Sequence, residues 1–143
     1  MVTVREAVEN DCEAIYGLNK NSLGYDYDIG KTREFLTCLL SDKNHAIFAS
    51  VVDGAVVGYI HACRYETVYF DPLVNIMLLA VDENKRRLGA GKALLNSTED
   101  WAKRIGAAGV RLSSNVKRTE AHKFYLACGY LNIAEHKSFR KTF

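Results

Sequence analysis

The sequence predicts a mixed α/β (α+β) fold, a largely antiparallel sheet of roughly six to seven strands flanked by about four helices. Three observations predict it. Two β-rich runs, HAIFASVV (45–52) and AVVGYIHACRY (55–65), are joined by Asp53-Gly54, a pair favoured in two-residue hairpin turns. The run LVNIMLLAVD (73–82) is almost wholly apolar, as in a strand buried on both faces. After it, Ala90, Leu94, Trp101 and Ile105 recur near helical period, and GVRLSS (109–114) then alternates as a strand. A helix between two strands implies a parallel pair and a right-handed crossover.

The other elements follow in order. VTVREA (2–7) alternates like a strand, and Asn10 can cap a helix to about Lys20 with Ala14, Ile15 and Leu18 on one side. NSLGYDYDIG (21–30) is turn-rich, and a second helix runs from Lys31 to Leu40. The hairpin and the apolar strand come next, then the long helix, stopped by Gly106. Beyond GVRLSS, Thr119 opens a short helix that Gly129 closes, and YLNIAEH (130–136) with SFRKTF (138–143) form a final strand pair. The predicted order is β-α-α-β-β-β-α-β-α-β-β.

The 143 residues suit a single domain, 1–143, with one core. Hydrophobic residues at 48% and charged residues at 25% argue against disorder. A net charge of +2 is too small for a general nucleic-acid binder, so any basic function must come from local clustering. No basic n-region precedes an apolar core at the start, so no signal peptide is expected, and the apolar run 76–81 is far short of a membrane span. Cys12, Cys38, Cys63 and Cys128 show no CxxC and no metal-ligand spacing to histidine, so they read as reduced thiols. A cytoplasmic protein without metal, nucleic-acid or membrane partners is the expectation.

The densest basic cluster lies in ENKRRLGAGKALL (83–95). Gly89 and Gly91 let the backbone turn tightly and approach a ligand closely. The helix starting there offers unpaired N–H groups and the positive end of its dipole, and Arg86, Arg87 and Lys92 add full charges. The stretch is suited to a phosphate or pyrophosphate. It is not a nucleotide P-loop, which needs glycine where Arg86 stands and Ser or Thr where Ala93 stands; the GxGxxG pattern fails at Leu94.

Arg86-Arg87-Leu88-Gly89-Ala90-Gly91 fits [QR]xxGx[GA], and with LLAVDEN before it and KALL after it resembles motif A of the GCN5-related N-acetyltransferases, the GNAT superfamily. EAHKFYLACGY (120–130) is similar to that family's later Ala-x-x-Phe-Tyr-x-x-x-Gly-[FY] signature. Close resemblance covers about residues 73 to 130. It implies a GNAT-like fold splayed between the two central parallel strands, acetyl-CoA as cofactor, and direct acetyl transfer to a primary amine of a small molecule or peptide. By position, the pyrophosphate would rest on the backbone N–H groups of Leu88, Gly89, Ala90, Gly91 and Lys92, beside Arg86 and Arg87. The pantetheine arm would pair with the backbone of Leu79, Ala80 and Val81.

The resemblance also implies roles. Tyr125 matches the position of the general acid that protonates the departing thiolate, and a phenol with a pKa of about 10 holds its proton at neutral pH. The same residue also fits an amphipathic core position, since Ala121, Phe124, Tyr125 and Cys128 lie at helical spacing. The backbone N–H of Leu79 is the candidate oxyanion donor. Some relatives carry a glutamate base eleven residues before the [QR] of motif A; here that position is Asn75, which cannot accept the proton. Glu66 and Asp71 are the nearest carboxylates along the chain, and the base stays unassigned. Arg118 stands where the family often has Asn and could meet a CoA phosphate, whereas Asn115 lies three residues earlier. His122, one turn before Tyr125, reads as structural.

The acidic, tyrosine-rich stretch 24–30, with Glu66 and Asp71, would suit a cationic amine. Dimerisation is common in such folds, although no interface is identifiable. Two other classes stay open: a non-catalytic acyl-CoA-binding module, favoured by Asn75, and a small RNA-binding domain, favoured by Lys85 to Lys92 and the basic end KSFRKTF.

Overall fold

Five strands and four α-helices form, and in a computed structural model that describes residues 1–143 they divide between two units, Met1–Leu112 and Ser113–Phe143. The first unit holds β1 (Thr3–Glu6), α1 (Cys12–Leu23), α2 (Ile29–Leu40), β2 (His45–Val52), β3 (Ala55–Tyr65), β4 (Leu73–Val81), α3 (Ala90–Arg104) and β5 (Val110–Leu112). Its sheet runs in sequence order, antiparallel up to β4 and parallel between β4 and β5. The hairpin turns as expected, with Asp53 at φ 50° and Gly54 at φ 82°, the left-handed pair of a tight two-residue loop.

Both early helices start where a carboxylate can take up backbone donors. A short 3₁₀ turn over Glu9–Asp11 leads into α1, and Asp11, not Asn10, is the organising residue. Its carboxylate accepts the Val8 N–H at 2.8 Å and two guanidinium bonds from Arg5 at 2.7 and 2.9 Å, tying β1 to the helix start. The Arg5 guanidinium holds the Asp11 carboxyl below the usual carboxylate range. α2 begins at Ile29, two residues before the expected Lys31, because Asp28 caps it by accepting the Lys31 N–H at 2.8 Å.

The two sheet faces are covered differently. On one, α3 packs against Ala62 and Val74 through Ala102, Trp101 and Ile105, and its Leu94 and Leu95 are wholly buried. Burying a leucine in this way contributes about 1.5–3 kcal/mol. On the other, Ile15, Leu18 and Leu36 of α1 and α2 pack on Ile47, Tyr59 and Ala80. β4 departs from the expected burial on both faces: Val74, Ile76 and Ala80 are buried, but Asn75, Leu78 and Leu79 are half-buried and Met77 is 56% exposed. A bulge is the cause. Ile76 lies opposite Ala62 and Leu78 opposite His61, so Met77 is an extra residue, and side-chain alternation restarts there. Asn75 is thereby brought to the face of α1 and α2, beside Cys63, its partner across the ladder.

The second unit holds α4 (Thr119–Ala127), which ends just before Gly129 at φ 91°. The expected final strand pair is absent. Residues 131–143 form no ladder, and Leu131, Ile133, Phe139 and Phe143 are 82–108% exposed. The sheet therefore has five strands, not six to seven. The two runs have strand-like composition, but a strand is defined by the partner that takes its backbone hydrogen bonds, and an isolated hairpin is marginal in water.

Candidate active site

Two features of β4 and α3 make the cofactor half of the candidate site. The parallel ladder with β5 runs only from Val74 opposite Val110 to Ile76 opposite Leu112, whereas pairing with β3 continues to Val81. From Met77 onward one edge of β4 has no β5 partner, so the expected splay is present. Strand alternation decides which backbone groups face it. The Asp82 N–H donates to Val57 O at 2.8 Å, and Ala80 O lies against Gly58. Ala80 thus turns its groups toward β3, and Leu79 and Val81 turn theirs to the open edge. Val81 O accepts the Ser22 hydroxyl from α1 at 3.2 Å. A cleft of about 340 Å³ opens here, lined by Asn21 and Ser22 on α1 and by Asp82 to Asn84.

The loop beyond β4 is built around backbone donors. Asp82 caps a 3₁₀ turn over Glu83–Lys85, and Arg86 leaves it extended. Arg87 at φ 68° and Gly89 at φ 85° are both left-handed, a conformation that costs an arginine energy and a glycine almost none. Gly89 is the N-cap of α3, and helix bonding begins when the Ala93 N–H donates to Gly89 O at 3.0 Å. The N–H groups of Ala90, Gly91 and Lys92 therefore precede the helical ladder and point out of its N-terminus. Ala90 is buried, which anchors the turn, while Arg86, Arg87, Leu88, Gly89 and Lys92 are exposed. Converging N–H donors, a helix dipole and three cations are the donor set that a diphosphate requires.

Tyr125 and Arg118 belong to the second unit. Tyr125 is half-buried on α4, its ring 5.4 Å from that of Phe124 and 6.2 Å from that of Tyr130. Burial raises its phenol pKa above the usual value, with the Arg118 charge opposing and Cys128 adding slightly. Arg118 is the exposed N-cap residue of α4. Asn115 has a structural role: its side chain accepts the Lys117 N–H at 2.9 Å, and its carbonyl accepts the Arg118 N–H and a His122 ring nitrogen. That bond holds the His122 Nε2 proton, in line with a structural histidine.

The acidic stretch 24–30 serves local structure. Asp26 accepts the Tyr16 hydroxyl at 2.9 Å, and Asp28 caps α2. Glu66 and Asp71 are exposed. Sequence reasoning missed a different cluster, on the face of α1 and α2. Arg111 of β5 lies opposite Asn75, donates a hydrogen bond to its side-chain carbonyl, and sits 4.5 Å from the centroid of the Tyr65 ring. Tyr65 stacks on Phe70 at 5.8 Å, and Phe70 meets Tyr69 edge-on at 4.8 Å. Beside them His45 and His61 share a ring hydrogen bond of 2.9 Å, and burial with the His45 neighbour pushes the His61 pKa down to about 4. The available signal was an arginine inside the alternating run GVRLSS, but its partners lie on other strands.

Comparison with known proteins agrees with this geometry. The model of the acetyltransferase (GNAT) family matches residues 10–130. The chain is similar to the aminoalkylphosphonate N-acetyltransferase of Salmonella typhimurium, 30% identical over 89% of this chain and 83% of the relative. It is also similar to the aminoglycoside N(6')-acetyltransferase type 1 of Stenotrophomonas maltophilia, 29% identical over 90% of this chain and 85% of the relative. Among solved structures, AAC(6')-Iy in complex with a bisubstrate analogue, CoA-S-monomethyl-acetylneamine, shares the fold at a TM-score of 0.88 and 20% identity, covering 100% of this chain and 99% of that one. No helix is long and apolar enough to cross a membrane. A family match that spans the open edge of β4, the left-handed Gly89 cap and α4 places this chain in the GNAT acetyltransferase family.

Proposed function

We propose that the chain is an acetyl-CoA-dependent N-acetyltransferase, moving an acetyl group directly to a primary amine of a small molecule or peptide. The observation that carries it is the pairing, within one segment, of an open β4 edge with a left-handed cap that frees the first N–H groups of α3. Acetyl-CoA, when bound, supplies an activated thioester. The residues present fit it: Leu88, Gly89, Ala90, Gly91 and Lys92 hold the pyrophosphate with Arg86 and Arg87. Leu79 and Val81 take the amides of the pantetheine arm, with Ala80 between them. The names of the two relatives, both acetylating small amines, support a small-molecule acceptor. Residues 1–143 are then one catalytic domain, a reading supported by the family match that runs through both units.

With acetyl-CoA bound, the Leu79 N–H would donate to the thioester oxygen as negative charge develops there, and Tyr125 would give its proton to the leaving sulfur and be reprotonated from solvent. Its raised pKa keeps that proton in place through neutral pH. Asn75 cannot take a proton, so the proton that the attacking amine loses passes to a base elsewhere or to ordered water. An acetyl-transfer assay with an amine panel, paired with calorimetric titration of acetyl-CoA, tests this reading. Tyr125→Phe lowers kcat by about 100-fold while acetyl-CoA affinity is kept. In the wild type, kcat/KM climbs with pH toward the pKa of the amine, with no falling limb from Tyr125 below pH of about 10. Wild-type protein that fails to bind acetyl-CoA overturns the reading. Binding without transfer to any amine supports the acyl-CoA-binding alternative that Asn75 favours.

A further inference from the structure

We infer that His61 and His45 form the proton exit for the transfer: His61 accepts, through one water, the proton that the attacking amine loses, and passes its own to His45. The inference deepens the acetyltransferase reading and rests on it. It begins with what the sheet lacks. The five strands hold a single carboxylate, Glu6, which pairs with Phe48 on β2. Phe48 in turn lies opposite Ile60, and both alternate with Ile47 and Tyr59, which pack under α1 and α2. Glu6 therefore belongs to the other face, and the strands under α1 and α2 carry no aspartate or glutamate. Besides the two histidines, the titratable strand residues here are Arg5, Tyr59, Cys63, Tyr65 and Arg111. Arginines and phenols are proton donors at neutral pH. Burial raises the pKa of Cys63 and of Tyr59, and Tyr59 already donates to Asn19. The charged residues of α1 and α2 are all exposed. Neutral imidazole is what remains to take a proton on this face.

The two rings are already joined. His45 Nδ1 and His61 Nε2 lie 2.9 Å apart, and His45 Nε2 is 3.9 Å from the Asp42 carboxylate. Asp42 is itself fixed, since its carboxylate accepts the Asn44 N–H at 2.9 Å and its carbonyl accepts the His45 N–H at 3.0 Å. The Asp42 side chain is 44% exposed against 24% for His45, so the line leads from the half-buried His61 toward water. At the other end, His61 Nδ1 makes no hydrogen bond within the protein. His61 stands opposite Leu78 on β4, next to Leu79, whose backbone faces the open edge. Neighbouring strands are about 4.8 Å apart, so a ring standing on β3 is one water away from an amine at that edge.

The proton count closes without a charge left inside. As the amine nitrogen bonds to the acetyl carbon and the carbon–sulfur bond breaks, the nitrogen gives a proton to the water. That water gives one to His61 Nδ1, and the Nε2 proton of His61 moves to His45 Nδ1. His45 is then the cation, beside Asp42, and releases its Nε2 proton to solvent; exchange with solvent restores the starting tautomers between turnovers. Burial and the His45 neighbour push the His61 pKa down to about 4, which makes a proton resting on both nitrogens of His61 costly. Handing it on at once avoids that state, and the outer ring sets the strength of the base.

Nitrogen NMR of the histidine rings tests the inference without turnover, in the free and the CoA-saturated protein at pH 7. Both rings should carry their proton on Nε2 and leave Nδ1 unprotonated. A His61 proton on Nδ1, or a cationic pair, overturns the inference, because His61 then has no site to accept at. Acetyl transfer to 2-aminoethylphosphonate and to kanamycin supplies a second readout. His61→Gln should lower kcat by about 100-fold and His45→Gln by about tenfold, with acetyl-CoA affinity kept in both. Added imidazole should restore part of the rate to His61→Ala, a rescue that a purely structural histidine would not allow. Unchanged turnover in His61→Gln overturns the inference as well. Wild-type protein that shows the expected tautomers but binds no acetyl-CoA sinks the acetyltransferase reading instead, so the two failures are told apart.

Discussion

The two ends of β4 present different kinds of group. At its C-terminal end, the open edge and the cap of α3 offer backbone groups: the N–H of Leu79, and those of Ala90, Gly91 and Lys92. At its N-terminal end, the open face offers side chains, with Arg111, Asn75 and Tyr65 drawn from three strands. Backbone recognition is set by dihedral angles, so it tolerates exchange of most side chains but not loss of a left-handed position. Side-chain recognition is the reverse, since one substitution can change the preferred ligand and leave the fold intact. Such a division suits an enzyme whose cofactor is fixed and whose acceptor differs among relatives.

The sharpest way to break this comparison is Gly89→Val. A β-branched residue cannot hold φ 85° without strain, so the first N–H groups of α3 lose their common direction. Calorimetry should show CoA affinity falling by about 100-fold or more, while Arg111→Gln leaves it unchanged. Equal effects from the two variants would mean that the ends do not act separately. A smaller effect is expected from Arg118→Ala, in which one exposed cation is lost. CoA should weaken by about fivefold and dephospho-CoA less, if Arg118 meets the phosphate that distinguishes them. Equal weakening of both would assign Arg118 to the start of α4 alone.

The smallest effect concerns stability, and it singles out the open face. His61 is neutral in the folded protein because burial, and then His45, push its pKa down to about 4 from an unfolded value near 6.5. Between those values the unfolded chain binds more protons, so stability rises with pH across the window and is lost as pH falls below 6.5. Urea denaturation should show a loss on the order of 1 kcal/mol between pH 7 and pH 5, reduced in His61→Gln. No such pH slope would indicate that the face admits enough water to solvate the imidazolium.

Legibility followed the same division. Asp53-Gly54, the periodicity of α3 and the Gly89 cap were read correctly because each depends on neighbours within a few residues. The start of α1 was misassigned to Asn10, since Asp11 acts through Arg5 on another element. Helical spacing alone left Tyr125 open between acid and core, and its half-buried place between Phe124 and Tyr130 is compatible with both. The last strand pair failed for a related reason, because composition describes a strand but not its partner.

By itself, then, the sequence determined the glycine turn that opens α3, the order of the elements through α4 and the family resemblance. These rest on local dihedral preference and on hydrophobic period, both written in consecutive residues. Only the tertiary structure decided that the sheet stops at five strands and that β4 bulges at Met77. It alone brought Asn75 and Arg111 together, 36 residues apart in the chain. Ladder register is a property of two strands at once, and one extra residue in one of them redirects every side chain that follows.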